Sequence, residues 1–253
     1  MILRRIIAHL RKQEWTAIGI DFLIVVLGVF VGMQVTNWNA DAADRRRAIV
    51  YVERLTADME SDLASRRANV AYYAAVLDSL VRTNDLLADP ASDPQDLVVS
   101  AYRASEILYS APTRATWDEI VSSGDVSLLP SEAVDAGIAE YFAADTGRLT
   151  YESLIGSDYR RLVRQIIPLE VQIELRAGCS DQRDAEQRIV GFMEHCTLRI
   201  SPASLRRTAD AIRGSGEVRA ALRYQYSNVY SASANLSGDV VYLERALAAL
   251  RGE

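Results

Sequence analysis

Histidine and cysteine, the side chains best suited to nucleophilic or metal chemistry, are scarce in this 253-residue chain, which has two of each. His195 adjoins Cys196, Cys179 lies shortly before them, and His9 is near the start. In an oxidising compartment a single cysteine pair at this separation forms a disulfide, worth about 3 kcal/mol by loop-closure entropy. We therefore predict a Cys179–Cys196 disulfide. The alternative is a redox or metal site at Cys196 and His195, in which zinc would have to recruit carboxylates.

Motifs of enzymatic chemistry are missing from the rest of the sequence. It contains no glycine-rich phosphate loop, no H-E-x-x-H pair and no C-x-x-C. Carboxylate pairs such as Asp118–Glu119 are explained first by helix capping or solvation. We accordingly predict no catalytic residue, no metal site and no cofactor, and thus a protein that is not an enzyme.

The segment from Ile18 to Val35 is the most distinctive element, because Asp21 is its only charged residue. As a helix it is about 27 Å long, close to the hydrocarbon thickness of a bilayer. Trp15 and Trp38 flank it at the depths where aromatic belts lie. We predict a transmembrane helix over residues 16–38 that contacts membrane lipid, with Trp15 and Trp38 as interface anchors.

The flanking charge gives the expected orientation. Residues 1–15 carry four basic side chains against Glu14, a net charge of +3, and such a cluster before the first helix favours the cytoplasm. We predict a cytoplasmic tail at 1–15 and a periplasmic domain at 39–253 on a bacterial inner membrane. The alternative is a cleaved signal peptide with an Ala40-Asp41-Ala42 site, but the apolar run exceeds the usual length of about 7–15 residues.

One face of the predicted membrane helix combines an acid with small residues. Helical spacing places Asp21, Val25, Gly28 and Gly32 together, and the two glycines form a G-x-x-x-G. Small residues permit close helix approach, and intramembrane acids usually face a partner. This predicts contact with another membrane protein or a second copy of the chain. The alternative is that Asp21 reaches the headgroups and the glycines are incidental.

Composition excludes several classes of protein. The chain is 49% apolar, which argues against a disordered tail, and its net charge is −6. Subtracting the +3 tail leaves −9 for the remainder. That balance argues against a nucleic-acid partner, which needs a basic face.

Apolar periodicity predicts an all-α fold, an antiparallel helical bundle that continues from the transmembrane helix. A stripe at three- and four-residue spacing follows residue 50, and no Pro or Gly occurs from 33 to 89, so one long helix is expected before the breaker at 89–94. A final helix after Ser215 has an apolar 4-3 pattern. The first stripe comprises Val52, Leu55, Met59, Leu63, Val70, Tyr73, Leu77, Leu80 and Leu87, and the last comprises Leu222, Tyr226, Val229, Ser233, Leu236, Val240, Leu243, Leu247 and Leu250.

Shorter helices are predicted between these two. They cover residues 95–110, a segment with a Thr116–Glu119 capping box ending at Gly124, and a long run from Ser131 to about Ile166. We also predict a short helix from Asp181 to His195 and no strand. Ser201-Pro202 and Ser215 are expected to begin the last two helices.

A resemblance to a known family is carried by three stretches of the sequence. They are FLIVVLGVFVGMQVTNWN at 22–39, YVERLTADM at 51–59 and TWDEIVSSGDVSLLPSEAVDAGIAEYF at 116–142. They are similar to a bacterial family of single-pass membrane proteins classed as a domain of unknown function. Its members have an IVVLGVF-x-G-x-Q-V-x-NWN anchor and a later T-x-[DE]-E-[LI]-x-S-[ST]-G-x-x-x-L-[IL] segment. The resemblance implies the anchor and a helical exported domain, but no reaction. Residues 150–253 lie outside it.

These observations favour a non-catalytic accessory or scaffold subunit that associates with a membrane complex. The alternative is a ligand-sensing helical module that signals through a partner. That alternative requires a pocket between helices, and the expected lining is Arg66 or Arg67, Asn84, or tyrosines of the last helix.

Overall fold

The computed structural model describes the backbone of residues 15–253 and the side chains from residue 18 onward. It is essentially all-α, as predicted, with a single small hairpin in the described part. The helices are α1 (Trp15–Ala88), α2 (Pro94–Arg103), α3 (Ala115–Ser123), α4 (Ser131–Asp135), α5 (Ile138–Ala144), α6 (Thr146–Ile155), α7 (Asp158–Ile166), α8 (Leu169–Gly178), α9 (Pro202–Gly214) and α10 (Gly216–Arg251). The hairpin strands are β1 (Asp181–Arg183) and β2 (Ile189–Phe192).

The chain divides into two compact units that meet between Tyr51 and Val52. In the first unit, the apolar side chains of α1 from Ile18 to Val35 are exposed. The most apolar window of α1 has a mean hydropathy of 2.3, and none of it is buried. By length and composition, α1 is the one helix among the described residues that is suited to cross a membrane. The basic tail and His9 lie outside the described residues.

In the second unit, residues 52–88 of α1 lie antiparallel to α10. Ion pairs join Arg251 to Glu60 and Arg67 to Glu244. The other side of α10 packs against α4 to α7, and α9 packs on α2. α1 ends before Asp89-Pro90, as predicted, and the Asp93 carboxylate caps α2 with Pro94 at its first turn.

The buried face of α10 differs from the predicted stripe at three of its nine positions. Gln225, Ala232 and Asp239 are buried in place of Tyr226, Ser233 and Val240. The predicted and the observed buried faces share a set of leucines and a valine spaced seven residues apart. Apolar content alone therefore does not determine which of the two faces is buried. The buried register brings Asp239 to Arg66 and leaves the Tyr226 hydroxyl in water.

The long helix predicted from Ser131 to Ile166 is instead four helices, α4 to α7. Gly137 and Asp145 have φ angles of 97° and 38°, in the left-handed region that ends a helix. The Asp145 and Ser157 side chains accept hydrogen bonds from the first turns of α6 and α7. Polar capping groups inside an apolar period therefore overrode the pattern. Pro168 separates α7 from α8 as expected.

Residues 181–195 form the hairpin rather than the predicted helix, and the prediction of no strand was also wrong. Asp181 pairs with Phe192 and Gln182 with Gly191. The Asp184 carboxylate accepts from the backbone N–H groups of Glu186 and Arg188, which fixes the turn. The predictions for Ser201 and Ser215 were correct, because each hydroxyl accepts a hydrogen bond from the first turn of its helix.

Candidate functional site

An extended segment, residues 104–114, lies along α1 and replaces the end of the helix predicted to reach residue 110. Side chains of α1, rather than a backbone ladder, hold it in place. The Asp62 carboxylate accepts from the Thr113 N–H at 3.0 Å and from its hydroxyl at 2.8 Å. Further contacts are Tyr73 with Leu108, Asn69 with Ser110 and Asp58 with Thr116.

The predicted Thr116–Glu119 capping box does not form. Arg114 is the N-cap of α3, and the Thr116 hydroxyl donates to Asp58 at 2.6 Å. A charged acceptor on a neighbouring helix makes a stronger hydrogen bond than a backbone cap. Glu119 pairs with Arg54 and Asp118 with Arg114, so neighbouring carboxylates have separate structural roles.

Arg66 and Asp239 form a buried ion pair, called here the Arg66 pair. Arg66 is 2% exposed and Asp239 is 6% exposed. Arg66 Nε lies 3.2 Å from Asp239 Oδ2. Neither of these atoms, nor Arg66 Nη1, has a hydrogen-bond partner among the described residues. Burial raises the pKa of Asp239, and Arg66 and the Thr146 hydroxyl lower it in part.

Gly147 makes room for the Arg66 guanidinium. A Cβ at Gly147 would lie 2.5 Å from Arg66 Nη1, so a larger residue would displace the arginine. Tyr141 also borders the pair, with its ring centroid 5.9 Å from the guanidinium carbon and its hydroxyl donating to Asp62. Burial raises the pKa of Tyr141, and the Asp62 carboxylate raises it further. The Tyr141 hydroxyl therefore stays protonated and acts as a hydrogen-bond donor to Asp62.

Asp239 also lines an open groove of about 840 Å³ between α6 and α10, called here the α6/α10 groove. The α10 side presents side chains at alternating four- and three-residue spacing, so they form a row along the helix. The α6 side adds short hydroxyl side chains. The lining is Thr146, Leu149, Thr150, Ser153, Gly156, Ser157 and Asp158 on one side and Tyr224, Asn228, Ser231, Ala232, Ala234, Asn235, Gly238, Asp239 and Tyr242 on the other.

A second buried cluster surrounds Glu106, which is 7% exposed. Its carboxylate lies 3.1 Å from Arg164, 3.4 Å from Arg176 and 3.8 Å from Arg160. These four residues are called here the Glu106 cluster. Its arginines have further partners, although Arg164 Nη2 makes no hydrogen bond among the described residues. Arg164 Nε donates to the Ser105 hydroxyl at 2.8 Å, Arg176 Nε donates to the Tyr102 hydroxyl at 2.9 Å, and Arg160 donates to the Ser105 carbonyl.

The predicted disulfide between Cys179 and Cys196 is present, with a Cα–Cα distance of 4.7 Å. It joins the end of α8 to the segment after β2. His195 is exposed and borders a shallow hollow. With both sulfurs joined, the redox or metal alternative has no free thiol. Within residues 15–253, no group of three or more His, Cys, Asp or Glu side chains is placed to hold a metal ion.

The predicted membrane interface remains a prediction. Asp21, Val25, Gly28 and Gly32 are all exposed on α1, and a Cβ at either glycine would have nothing within 4 Å. The Thr36 hydroxyl donates to the Gly32 carbonyl at 3.0 Å, which satisfies that hydroxyl within the helix. Trp38 is exposed. Trp15 begins α1, and its side chain lies outside the described part.

The residues predicted to line a ligand pocket are separated. Arg66 is buried behind Asp239, whereas Arg67 is exposed and pairs with Glu244. Asn84 lies with Tyr226 in a separate notch of about 250 Å³. Two tyrosines of α10 do line the α6/α10 groove, as predicted for tyrosines of the last helix. The α6 wall of the groove was not predicted, because the sequence pattern places α6 in the middle of one long helix from Ser131 to Ile166. The hydroxyl row Thr146, Thr150, Ser153 was the available signal.

Comparisons with protein-family models, with curated proteins and with solved structures found no match for this chain.

Proposed function

We propose that this protein is a non-catalytic, single-pass membrane subunit whose exported helical domain binds or braces a membrane complex. The observation that carries the proposal is the exposed apolar surface of α1 from Ile18 to Val35. Exposing so large an apolar surface to water is unfavourable. In a bilayer the same surface is satisfied. The Cys179–Cys196 disulfide supports export of the second unit, since disulfides persist in oxidising compartments. The basic tail supports a cytoplasmic N-terminus and a periplasmic domain.

The face containing Asp21, Gly28 and Gly32 is the proposed contact with a neighbouring transmembrane helix. Both glycines expose bare backbone, which allows two helices to approach closely. Asp21 lies on the same face, where a partner can satisfy its carboxylate. The occupant is another membrane protein or a second copy of the chain.

Orientation is tested first, with a reporter fused after Glu253 and mass spectrometry of the mature chain. We expect an intact Met1 and a reporter that is active in the periplasm. A reporter active only in the cytosol would reject the orientation. A mature chain that begins near Ala43 would show that the apolar segment is a cleaved signal peptide and not a membrane anchor.

Partner contact is tested by crosslinking in the native membrane, gentle-detergent purification and identification of the captured chains. Replacing both Gly28 and Gly32 by Leu is expected to reduce the captured partner by about tenfold, because the added side chains separate the helices. Asp21→Asn should leave insertion intact and weaken capture. Gly19→Leu is the matched control, since Gly19 lies on the opposite face with equally open surroundings. Equal capture by all variants would remove this interface.

A second candidate function, ligand binding by the exported domain, is favoured by the α6/α10 groove. The groove is open, has a volume of about 840 Å³, and is lined by amide and hydroxyl side chains that a ligand can bond. A thermal-shift panel of small metabolites tests it, and a flat response would count against it.

A further inference from the structure

The α6/α10 groove is long, open and lined mainly by neutral polar groups. Tyr224 and Tyr242 stand near its two ends, about 27 Å apart along α10 at 1.5 Å per residue. Asn228 and Asn235 lie between them, and hydroxyls of Thr150 and Ser153 face them from α6. A groove of this length suits an extended chain rather than a single small molecule.

Charge restricts the chemistry of the occupant. Asp158 and Asp239 are the only charged residues in the lining, and both have arginine partners. No basic side chain of the described residues lines the groove. Phosphate, nucleotide and other anionic ligands would therefore meet carboxylates without a cation. Because the carboxylates are already paired, a strongly cationic ligand gains little, and a neutral ligand is favoured.

The lining also disfavours a protein segment as the occupant. A helix in a groove is held by apolar anchors at helical spacing, and an extended peptide is held by the free backbone of a sheet edge. Here both walls are helices whose backbone is already bonded, and the α10 row consists of amides, hydroxyls and small residues. Amides and hydroxyls both donate and accept hydrogen bonds, which matches a ligand rich in hydroxyl groups. Tyrosine rings offer flat faces on which sugar rings pack through their C–H groups.

Gly238 adds an independent observation. It lies in the interior of α10, where a glycine costs about 1 kcal/mol relative to alanine. A Cβ at this position would meet nothing within 4 Å, so packing within the chain does not require glycine. The missing side chain instead widens the groove beside Asp239. The Asp239 carboxylate beside it is buried against Arg66, so the polar surface open to a ligand comes from the amides and hydroxyls of the lining.

We infer that the α6/α10 groove binds a neutral glycan chain. Its rings stack on Tyr224 and Tyr242, and its hydroxyl groups bond to the amides of Asn228 and Asn235. This site is independent of the membrane interface proposed above, because none of its lining residues belongs to the first unit.

The test uses the full chain in nanodiscs, with chitohexaose and cellohexaose as probes and isothermal titration calorimetry as the readout. Gly238→Leu adds a side chain to the groove lining at a position where a Cβ meets nothing within 4 Å, and it is expected to raise the Kd at least about tenfold, a loss of about 1.4 kcal/mol. Ser237→Leu is its matched control, since Ser237 is the exposed neighbour outside the lining, and should change the Kd less than about twofold.

A tyrosine pair provides a second matched comparison. Tyr224→Ala is expected to weaken binding about tenfold, because stacked aromatic residues are typical hot spots. Tyr230→Ala removes another exposed tyrosine of the same helix, one that lies outside the groove, and this variant should bind normally. The melting temperature of each variant, measured without ligand, separates loss of binding from loss of fold.

Tighter binding of chitohexaose than cellohexaose would indicate an N-acetylated glycan, and the reverse a plain glucan; both support the inference. Three results overturn it. These are no heat with either probe at millimolar concentration, binding unchanged by Gly238→Leu, and groove-dependent binding of a tetralysine peptide in place of both glycans. Each of these results would overturn the glycan inference independently of whether a membrane partner of α1 is found.

Discussion

The two buried ion clusters of the second unit are built from the same side-chain types but are satisfied to different degrees. In the Glu106 cluster, three guanidinium groups share one carboxylate and also bond to Ser105 and Tyr102. The Arg66 pair leaves three polar atoms without a hydrogen bond, against one such atom, Arg164 Nη2, in the Glu106 cluster. A buried charge is costly unless it is fully hydrogen-bonded. The Glu106 cluster is therefore the more fully bonded of the two, and the Arg66 pair depends on a single contact between one cation and one anion.

Removing the central charge of the Glu106 cluster should have the largest effect. Glu106→Gln leaves three arginines without an anion, and we expect the free energy of unfolding to fall by about 4 kcal/mol. Pulse proteolysis of the full chain in urea measures it. Glu152→Gln is the control, because Glu152 forms an exposed pair with Arg148 worth less than about 0.5 kcal/mol. Equal small losses in both variants would mean that the cluster is not structural.

Opening the disulfide tests whether the hairpin that borders the Glu106 cluster depends on it. Replacing Cys179 and Cys196 by Ser should lower the free energy of unfolding by about 3 kcal/mol, since the unfolded chain regains loop entropy. The same loss should follow reduction of the wild-type chain. If reduction leaves the urea midpoint unchanged, the hairpin is held by its packing on Tyr72 instead.

The Arg66 pair should be less sensitive, because each single variant leaves one buried charge unpaired rather than three. We expect Arg66→Met and Asp239→Leu each to cost about 2 kcal/mol by leaving one buried charge unpaired. The double variant should recover to within about 1 kcal/mol of the wild type. Urea unfolding of the wild type, the two single variants and the double variant gives the four free energies that the double-mutant cycle needs. Additive losses in the double variant would show that the two residues act independently.

Asp181, on β1 beside the Glu106 cluster, should give the smallest effect, and one that depends on pH. Burial raises its pKa, and the Glu106 carboxylate raises it further, while Arg176, Arg183 and Arg103 lower it. Ionised Asp181 therefore destabilises the fold at neutral pH, and this penalty is lost as the pH falls through the raised pKa.

Asp181→Asn should consequently be more stable than the wild type at pH 7, by less than about 1 kcal/mol given its partial exposure. The difference should shrink as the pH falls through the raised pKa, where the wild-type carboxyl becomes protonated in the folded state. Urea midpoints of both chains at several pH values measure it. A wild type that is the more stable chain at pH 7 would contradict the sign of this pKa shift.

Local signals in the sequence were enough for much of the fold. The end of α1 at Ala88, the caps at Ser201 and Ser215, and the disulfide depend on neighbouring residues or on a unique pairing. The sequence also contains a signal for the Asp181–Arg188 turn, because the Asp184 carboxylate can accept hydrogen bonds from the residues that follow it. The apolar positions of this segment nevertheless suggested a helix. Turn chemistry outweighed periodicity there.

The candidate site was less accessible, because its parts are related only through tertiary packing. The register of α10 depends on the Arg66 pair, and neither residue identifies the other by spacing. The α6/α10 groove requires both that register and the break at Asp145 that begins α6. The sequence singles out Arg66 or Arg67 only as possible pocket lining, and the partner of Arg66 lies on the last helix.

The antiparallel pairing of α1 and α10 also determines how the domain responds to mechanical load. Residue 52 and the C-terminus lie at the same end of the second unit, where Arg251 pairs with Glu60. Tension between these two points would peel the long helices apart from that end, releasing Glu60, then Arg67, then the Arg66 pair in succession. Contacts that break one at a time yield at lower force than contacts sheared together, so this domain would act as a compliant link.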